Sequence, residues 1–129
     1  MAIEHLNPKS LFRSPAFSQG TVIPSGATIV IVGGHDGVGA DGKLVGDGIA
    51  AQTEQAMRNV LAVLEEAGAG PADVAKLTIY LAESVDPTAA YGAVMPVWGT
   101  QPTAVSVLKV AALGRPEALV EIEAIASLG

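Results

Sequence analysis

The 129-residue sequence contains no cysteine, so disulfides, thiolate catalysis and zinc–thiolate centres are excluded. It is also poor in positive charge. Seven Lys and Arg stand against thirteen Asp and Glu, for a net charge of −6, and Lys9, Arg13, Lys43, Arg58, Lys76, Lys109 and Arg115 are scattered along the chain. Phosphate backbones are bound by grouped cations, so nucleic acid is not an expected partner. Half of the residues are apolar, yet no apolar run approaches the roughly 20 residues that a membrane-spanning helix needs. Residues 1–8 show no basic region followed by an apolar core, so a cytoplasmic protein is expected. His5, His35 and the acids show no metal-ligand spacing of the H-x-x-x-H kind, and neither metal nor cofactor is expected. There is no internal repeat and no low-complexity segment. Residues 1–129 are read as a single domain, long enough to bury a core without staples.

Two β-rich runs dominate what is present, Thr103 to Val110 and Ala118 to Ile125, joined by a turn at Gly114-Arg115-Pro116. Strands send alternate side chains to opposite faces, so Val120, Ile122 and Ala124 point one way while Glu121 and Glu123 point the other. The two carboxylates are then about 7 Å apart on one face. Such groups within an otherwise apolar strand are costly unless paired, solvated or used.

The remaining elements follow from period and punctuation. Residues 1–19 read as an arm with turns at Asn7-Pro8 and Ser14-Pro15. Gly20 to Ile23 and Ala27 to Val32, separated by Pro24-Ser25-Gly26, read as an antiparallel hairpin. Gly33-Gly34-His35-Asp36-Gly37 reads as a flexible turn, and Val38 to Gly48 as a polar loop. From Ile49 the apolar residues Ala56, Met57, Val60, Leu61 and Leu64 recur at helical spacing, with Gln52, Glu54, Gln55, Arg58 and Asn59 on the other side. Asp47 is the expected N-cap of this helix and Gly68 its C-terminal stop. Val74 to Leu81 alternates as a strand with one buried face. Asp86-Pro87 opens a second helix through about Trp98, with Pro96 distorting its last turn. The order β-β-α-β-α-β-β gives an α+β, two-layer domain with a mixed sheet and two helices on one face. The other face is left apolar and uncovered, which predicts burial by further subunits.

Phe17-Ser18-Gln19, Ile31-Val-Gly-Gly34, Gln52-Thr-Glu-Gln55 leading into Asn59-Val-Leu61, Leu64-Glu-Glu-Ala-Gly68, Thr78-Ile-Tyr-Leu81, Pro102-Thr-Ala-Val-Ser106 and Val120-Glu-Ile-Glu-Ala-Ile-Ala126 together resemble the RidA/YjgF family of imine and enamine deaminases. The resemblance implies a chorismate-mutase-like subunit, a homotrimer and three inter-subunit clefts. It also implies substrate-binding positions at Phe17, Gly33, Gly34, Tyr91, Val105 and Ser106, and a catalytic carboxylate at Glu121. Where the family carries an arginine that grips a substrate carboxylate, this chain has Val105, and valine can form no such pair.

Each candidate has a structural alternative. Glu121 can activate a water, or it can form an ion pair across the sheet, as Glu123 is expected to do. His35 can transfer protons near neutral pH, or simply be solvated like His5. Tyr91 can reach a ligand or serve as packing. Gly33 to Gly37 lacks the lysine and the following helix of a phosphate loop, and Arg13 is the cation that could replace the missing arginine. Two functions follow: a small-molecule enzyme that hydrolyses or tautomerises an imine, an enamine or a related unsaturated metabolite using Glu121 and His35, or a non-catalytic trimer that binds a metabolite or partner protein.

Overall fold

The computed structural model describes residues 2–129, and its sheet is organised around the last strand. In chain order the elements are β1 (Glu4–Leu6), β2 (Gly20–Val22), β3 (Thr28–His35), α1 (Ile49–Glu66), a 3-10 turn (Pro71–Asp73), β4 (Val74–Ala82), α2 (Pro87–Trp98), β5 (Ala104–Val110) and β6 (Val120–Leu128). The main sheet runs β3-β6-β4-β5, with β6 antiparallel to both neighbours and β4 parallel to β5. This is the mixed sheet of an α+β, chorismate-mutase-like fold, with both helices on one face.

Alternation sets the faces. Val120, Ile122 and Ala124 of β6 stand opposite Leu81, Ile79 and Leu77 of β4, and all six are buried. Fully burying each larger aliphatic side chain stabilises by about 1.5–3 kcal/mol before conformational entropy is charged against it. Helix α1 lays Ala56, Met57, Val60 and Leu64 on this layer, and all four are fully buried. On the open face Ile29, Ile31, Leu108 and Ile125 are exposed, Ile31 at 75%. The uncovered face expected from the sequence is present in the single chain, but it is apolar only in part, since Lys76, Tyr80, Ser106, Glu121 and Glu123 share it.

Several expectations are corrected. Gly20 to Ile23 and Ala27 to Val32 do not form a hairpin: β2 pairs with β1, a strand inside the supposed arm, and β3 pairs with β6. The turn between them exists, with the Ala27 amide donating to the Pro24 carbonyl and Gly26 at φ 81°, but it passes the chain from one sheet to the other. β5 and β6 are likewise not neighbours, because β4 lies between them. A parallel β4–β5 pair needs a crossover, and α2 supplies it. Gly33, Gly34 and His35 continue β3 through a bulge rather than forming a loop.

The helix ends differ in one respect. Gly48, not Asp47, caps α1, and no side chain caps it. At α2 the Asp86 carboxylate accepts from the Thr88 amide as expected, and Pro96 is accommodated in the last turn before Gly99 ends the helix at φ 86°.

Candidate functional site

The sequence candidates fall into two groups at opposite edges of the sheet. The first gathers where β3 meets β6. The bulge between Val32 and His35 brings Gly34 against Glu121 so closely that a Cβ on Gly34 would lie 2.5 Å from the Glu121 Oε2. Gly34 is not in the left-handed region, so what its missing side chain provides is space, and the atoms occupying that space belong to the flexible Glu121 side chain. Glu121 is half-buried, and among the described residues no salt bridge or side-chain hydrogen bond satisfies its carboxylate. The ion pair offered as its structural alternative does not form in the single chain. His35 is also half-buried, but its register opposite Ile122 assigns it to the helix-packed face, away from Glu121. No hydrogen bond joins the two among the described residues.

The second group lies along β5 and α2. Val105 is paired with Leu77, so it faces the helices, whereas Ser106, paired with Thr78, faces the open side and accepts a 2.6 Å hydrogen bond from the Lys76 ammonium. Phe17, 37% exposed, precedes Ser18, which bridges to Ala104 at the start of β5. Tyr91 is half-exposed on α2. Between α2 and the β4–β5 pair lies a cavity of about 270 Å³, whose walls include Val105 and Tyr91. Arg13 is exposed and does not line it.

A polar row on the open face links the groups. The Tyr80 hydroxyl donates to Glu123 at 2.5 Å, so Glu123 is satisfied by a phenol rather than by a cation. That hydrogen bond pushes the Tyr80 phenol above its ordinary value, and desolvation and the charges of Glu123 and Glu121 act in the same direction. No group of three or more His, Asp or Glu among the described residues is placed to hold a metal ion.

Reading the sequence missed the side chains that hold the loops beside Glu121. Gln52, expected on the solvent side of α1, is fully buried. Its amide nitrogen donates to the Gly46 carbonyl at 2.8 Å and more weakly to that of Glu117, and its oxygen accepts from the Leu119 amide at 2.8 Å. Two turns further along α1, Asn59 donates to the carbonyls of Asp36 and Val38. Asp36 in turn pairs with Arg115 at 3.1 Å, tying the loop after β3 to the loop before β6. The spacing of Gln52 and Asn59 was the only sequence signal: two amides at helical spacing beside a long irregular loop.

The family model described as Endoribonuclease L-PSP matches residues 10–128. Among solved structures, the chain is similar to YyfB of the conserved Rid protein family from Yersinia pestis, at 35% identity and a TM-score of 0.87 over 99% of this chain and 100% of that one. An endoribonuclease L-PSP-type protein from Entamoeba histolytica is 31% identical with a TM-score of 0.74, over 98% and 99% of the two chains. A Mycobacterium tuberculosis member of the YjgF/YER057c/UK114 family is 33% identical with a TM-score of 0.67, over 87% and 86%. No curated protein sequence matches the chain significantly.

Proposed function

The chain belongs to the endoribonuclease L-PSP family, whose members are also named Rid and YjgF, and from that premise we propose that it is a small-molecule enzyme acting on an imine, an enamine or a related unsaturated metabolite. The observation that supports this reading is the division of the candidates between two sheet edges. Val105 on β5 and Gly34 on β3 are three strand spacings apart, roughly 14 Å, and Val105 and Glu121 face opposite sides. A second copy can unite them if the β5–α2 edge of one protomer abuts the β3–β6 edge of the next. A heterologous contact of that kind gives a ring when its rotation closes, and a homotrimer with three equivalent clefts is the closure proposed here.

In such a cleft Glu121 is the proton acceptor. Its carboxylate takes a proton from a water as the hydroxyl adds to the carbon of C=N, and passes that same proton to the nitrogen, which regenerates the carboxylate and gives the carbinolamine. Collapse of the resulting carbinolamine releases ammonia or an amine and leaves a carbonyl, so atoms and charge balance. The unsatisfied carboxylate, held over Gly34 without a cation, suits that step. Val105 sets specificity. A hydrogen bond to a charged partner is worth about 1.5–3 kcal/mol, so replacing a carboxylate-gripping arginine by valine weakens carboxylate substrates roughly ten- to hundredfold. The ribonuclease activity in the family's name is disfavoured by the net charge of −6 and the scattered cations.

Ammonia release from a panel of neutral imines and from 2-iminobutyrate tests the reading. Glu121→Gln is expected to abolish turnover of the neutral imines, and His35→Ala reports whether His35 contributes. Turnover of 2-iminobutyrate at ordinary enzyme rates would refute the role given to Val105. If Glu121→Gln changes ligand affinity and no turnover exists to lose, the non-catalytic reading holds; the uncharged walls of the α2 cavity favour that alternative.

A further inference from the structure

The cavity under α2 has a floor of Leu77 and Ile79, a side of Val105 and Val107, and a roof of Val94 and Trp98. None of its lining residues is an Asp, Glu, His, Lys or Arg. Its buried polar side chains are already engaged, the Thr103 hydroxyl donating to the Val74 carbonyl at 2.7 Å and the Trp98 indole N–H to that of Gln101 at 2.9 Å, while the Thr100 and Gln101 side chains belong to exposed residues of the lining. The Tyr91 hydroxyl, half-exposed at the mouth, has no hydrogen-bond partner among the described residues. A charged molecule entering here would lose its hydration and gain no counter-charge. An apolar cavity of about 150 Å³ already accepts benzene, and this one is about 270 Å³.

We infer that the α2 cavity binds a neutral molecule made of one ring and a short side chain, with a single hydroxyl or carbonyl directed to Tyr91. The inference rests on the cleft reading above, in that Glu121 of a neighbouring copy would act on the end of the ligand left at the mouth. The closest cations by sequence lie outside the lining. Lys109 follows Val107 by two residues and donates to the Glu83 carbonyl, and Arg13 precedes Pro15 at the rim.

Trp98 is the only tryptophan in the chain and part of the roof, so its fluorescence reports occupancy without any turnover. Three probes of one size and different charge, 2-phenylethanol, phenylacetate and 2-phenylethylammonium, are titrated while only tryptophan is excited. The alcohol is expected to give a saturable change, with both ions binding at least about tenfold more weakly. Val105→Arg is expected to reverse the preference toward phenylacetate. Tyr91→Arg, at the half-exposed mouth of the cavity, is expected to do the same and serves if the first variant does not fold. The inference is overturned if the alcohol gives no saturable response, or if phenylacetate binds the unaltered protein as well as the alcohol does, whether or not Arg13→Ala removes that binding. It is equally overturned if neither arginine variant moves the preference. Ammonia release, measured separately in Glu121→Gln, decides the catalytic reading: neutral-probe selectivity without turnover leaves this inference standing and that reading refuted.

Discussion

Replacing Gln52 by leucine keeps most of the side-chain volume and removes its hydrogen bonds. Gln52 is fully buried, and its amide holds the Leu119 N–H at 2.8 Å and the Gly46 carbonyl at 2.8 Å. Leu119 is half-buried, so its donor loses a partner that water replaces poorly, at about 1–3 kcal/mol. Gly46 is exposed and can turn to solvent, which limits its share to about 0.5–1.5 kcal/mol. Burying the extra apolar surface of leucine returns roughly 1 kcal/mol. The net loss for Gln52→Leu is then about 1–3 kcal/mol. Gln52→Glu is a sharper test, because one carboxylate oxygen can still accept from Leu119 while the other, in place of the amide nitrogen, faces the Gly46 and Glu117 carbonyls. An uncompensated buried charge costs about 3–5 kcal/mol. That penalty is absent at low pH, where the introduced carboxyl is protonated and can donate again, and it grows as pH rises through the ordinary glutamate value of about 4.3. Urea unfolding at one protein concentration, followed by Trp98 fluorescence, measures both variants, with an unchanged m-value showing that only stability moved. The reasoning fails if Gln52→Leu lies within about 0.5 kcal/mol of the parent, or if Gln52→Glu is no less stable than Gln52→Leu at neutral pH.

Two glycines give a contrasting pair. At Gly37 a Cβ would lie 2.7 Å from the Gln52 Cα and carbonyl oxygen, backbone that cannot yield unless α1 moves, so Gly37→Ala should cost about 1–3 kcal/mol or more in urea unfolding. At Gly34 the obstacle is the flexible Glu121 side chain, so Gly34→Ala should lose under about 1 kcal/mol yet displace the carboxylate and lower turnover of any imine substrate; equal losses of stability at both positions would contradict this. Tyr80 supplies a pH signature, because its folded value is raised above the unfolded one of 10.0. The unfolded chain gives up the phenolic proton first, so this contribution is intact below about pH 10 and is lost as pH rises through the raised value. Tyr80→Phe should therefore flatten the alkaline fall in thermal midpoint, and an unchanged slope would remove Tyr80 from the explanation.

What was legible in the sequence was whatever is settled locally. Helix α1, β4 and α2 announce themselves through period, and Asp86-Pro87 and Gly68 mark ends that the structure keeps. The extent of β5 was legible to within a residue, and so was the buried face of β6, although β6 begins at Val120 rather than Ala118 and runs on to Leu128 rather than ending at Ile125. Their pairing was not legible, because adjacency in a sheet is decided by burial among segments far apart in the chain. A turn at Gly114 looks the same whether or not β4 is inserted between the strands it joins. Gly33 and Gly34 look like loop residues because nothing local shows that β3 continues through them by a bulge, or that the distant Glu121 carboxylate occupies the space beside Gly34. Gln52 was misplaced because a polar side chain on an amphipathic helix is assigned to water, and only the arrival of the 36–48 and 111–119 loops gives it partners. The candidate residues themselves were found in the sequence. Their separation onto two edges and two faces was not, since it depends on the strand order β3-β6-β4-β5.

That order also bears on how the chain comes to be folded. β6 lies between β3 and β4 and is the last of the three to be synthesised. Until it emerges, β3 has no partner in the main sheet and β4 is paired along one edge only, by β5. Closing β3 onto β6 joins Thr28 to Leu128, a pairing across most of the sequence, and such distant contacts are slow to form because the loop entropy is lost before they reward it. Nascent chains that end before Val120 should therefore expose apolar strands and lean on chaperones, and the domain should snap into place only after translation has passed its final strand.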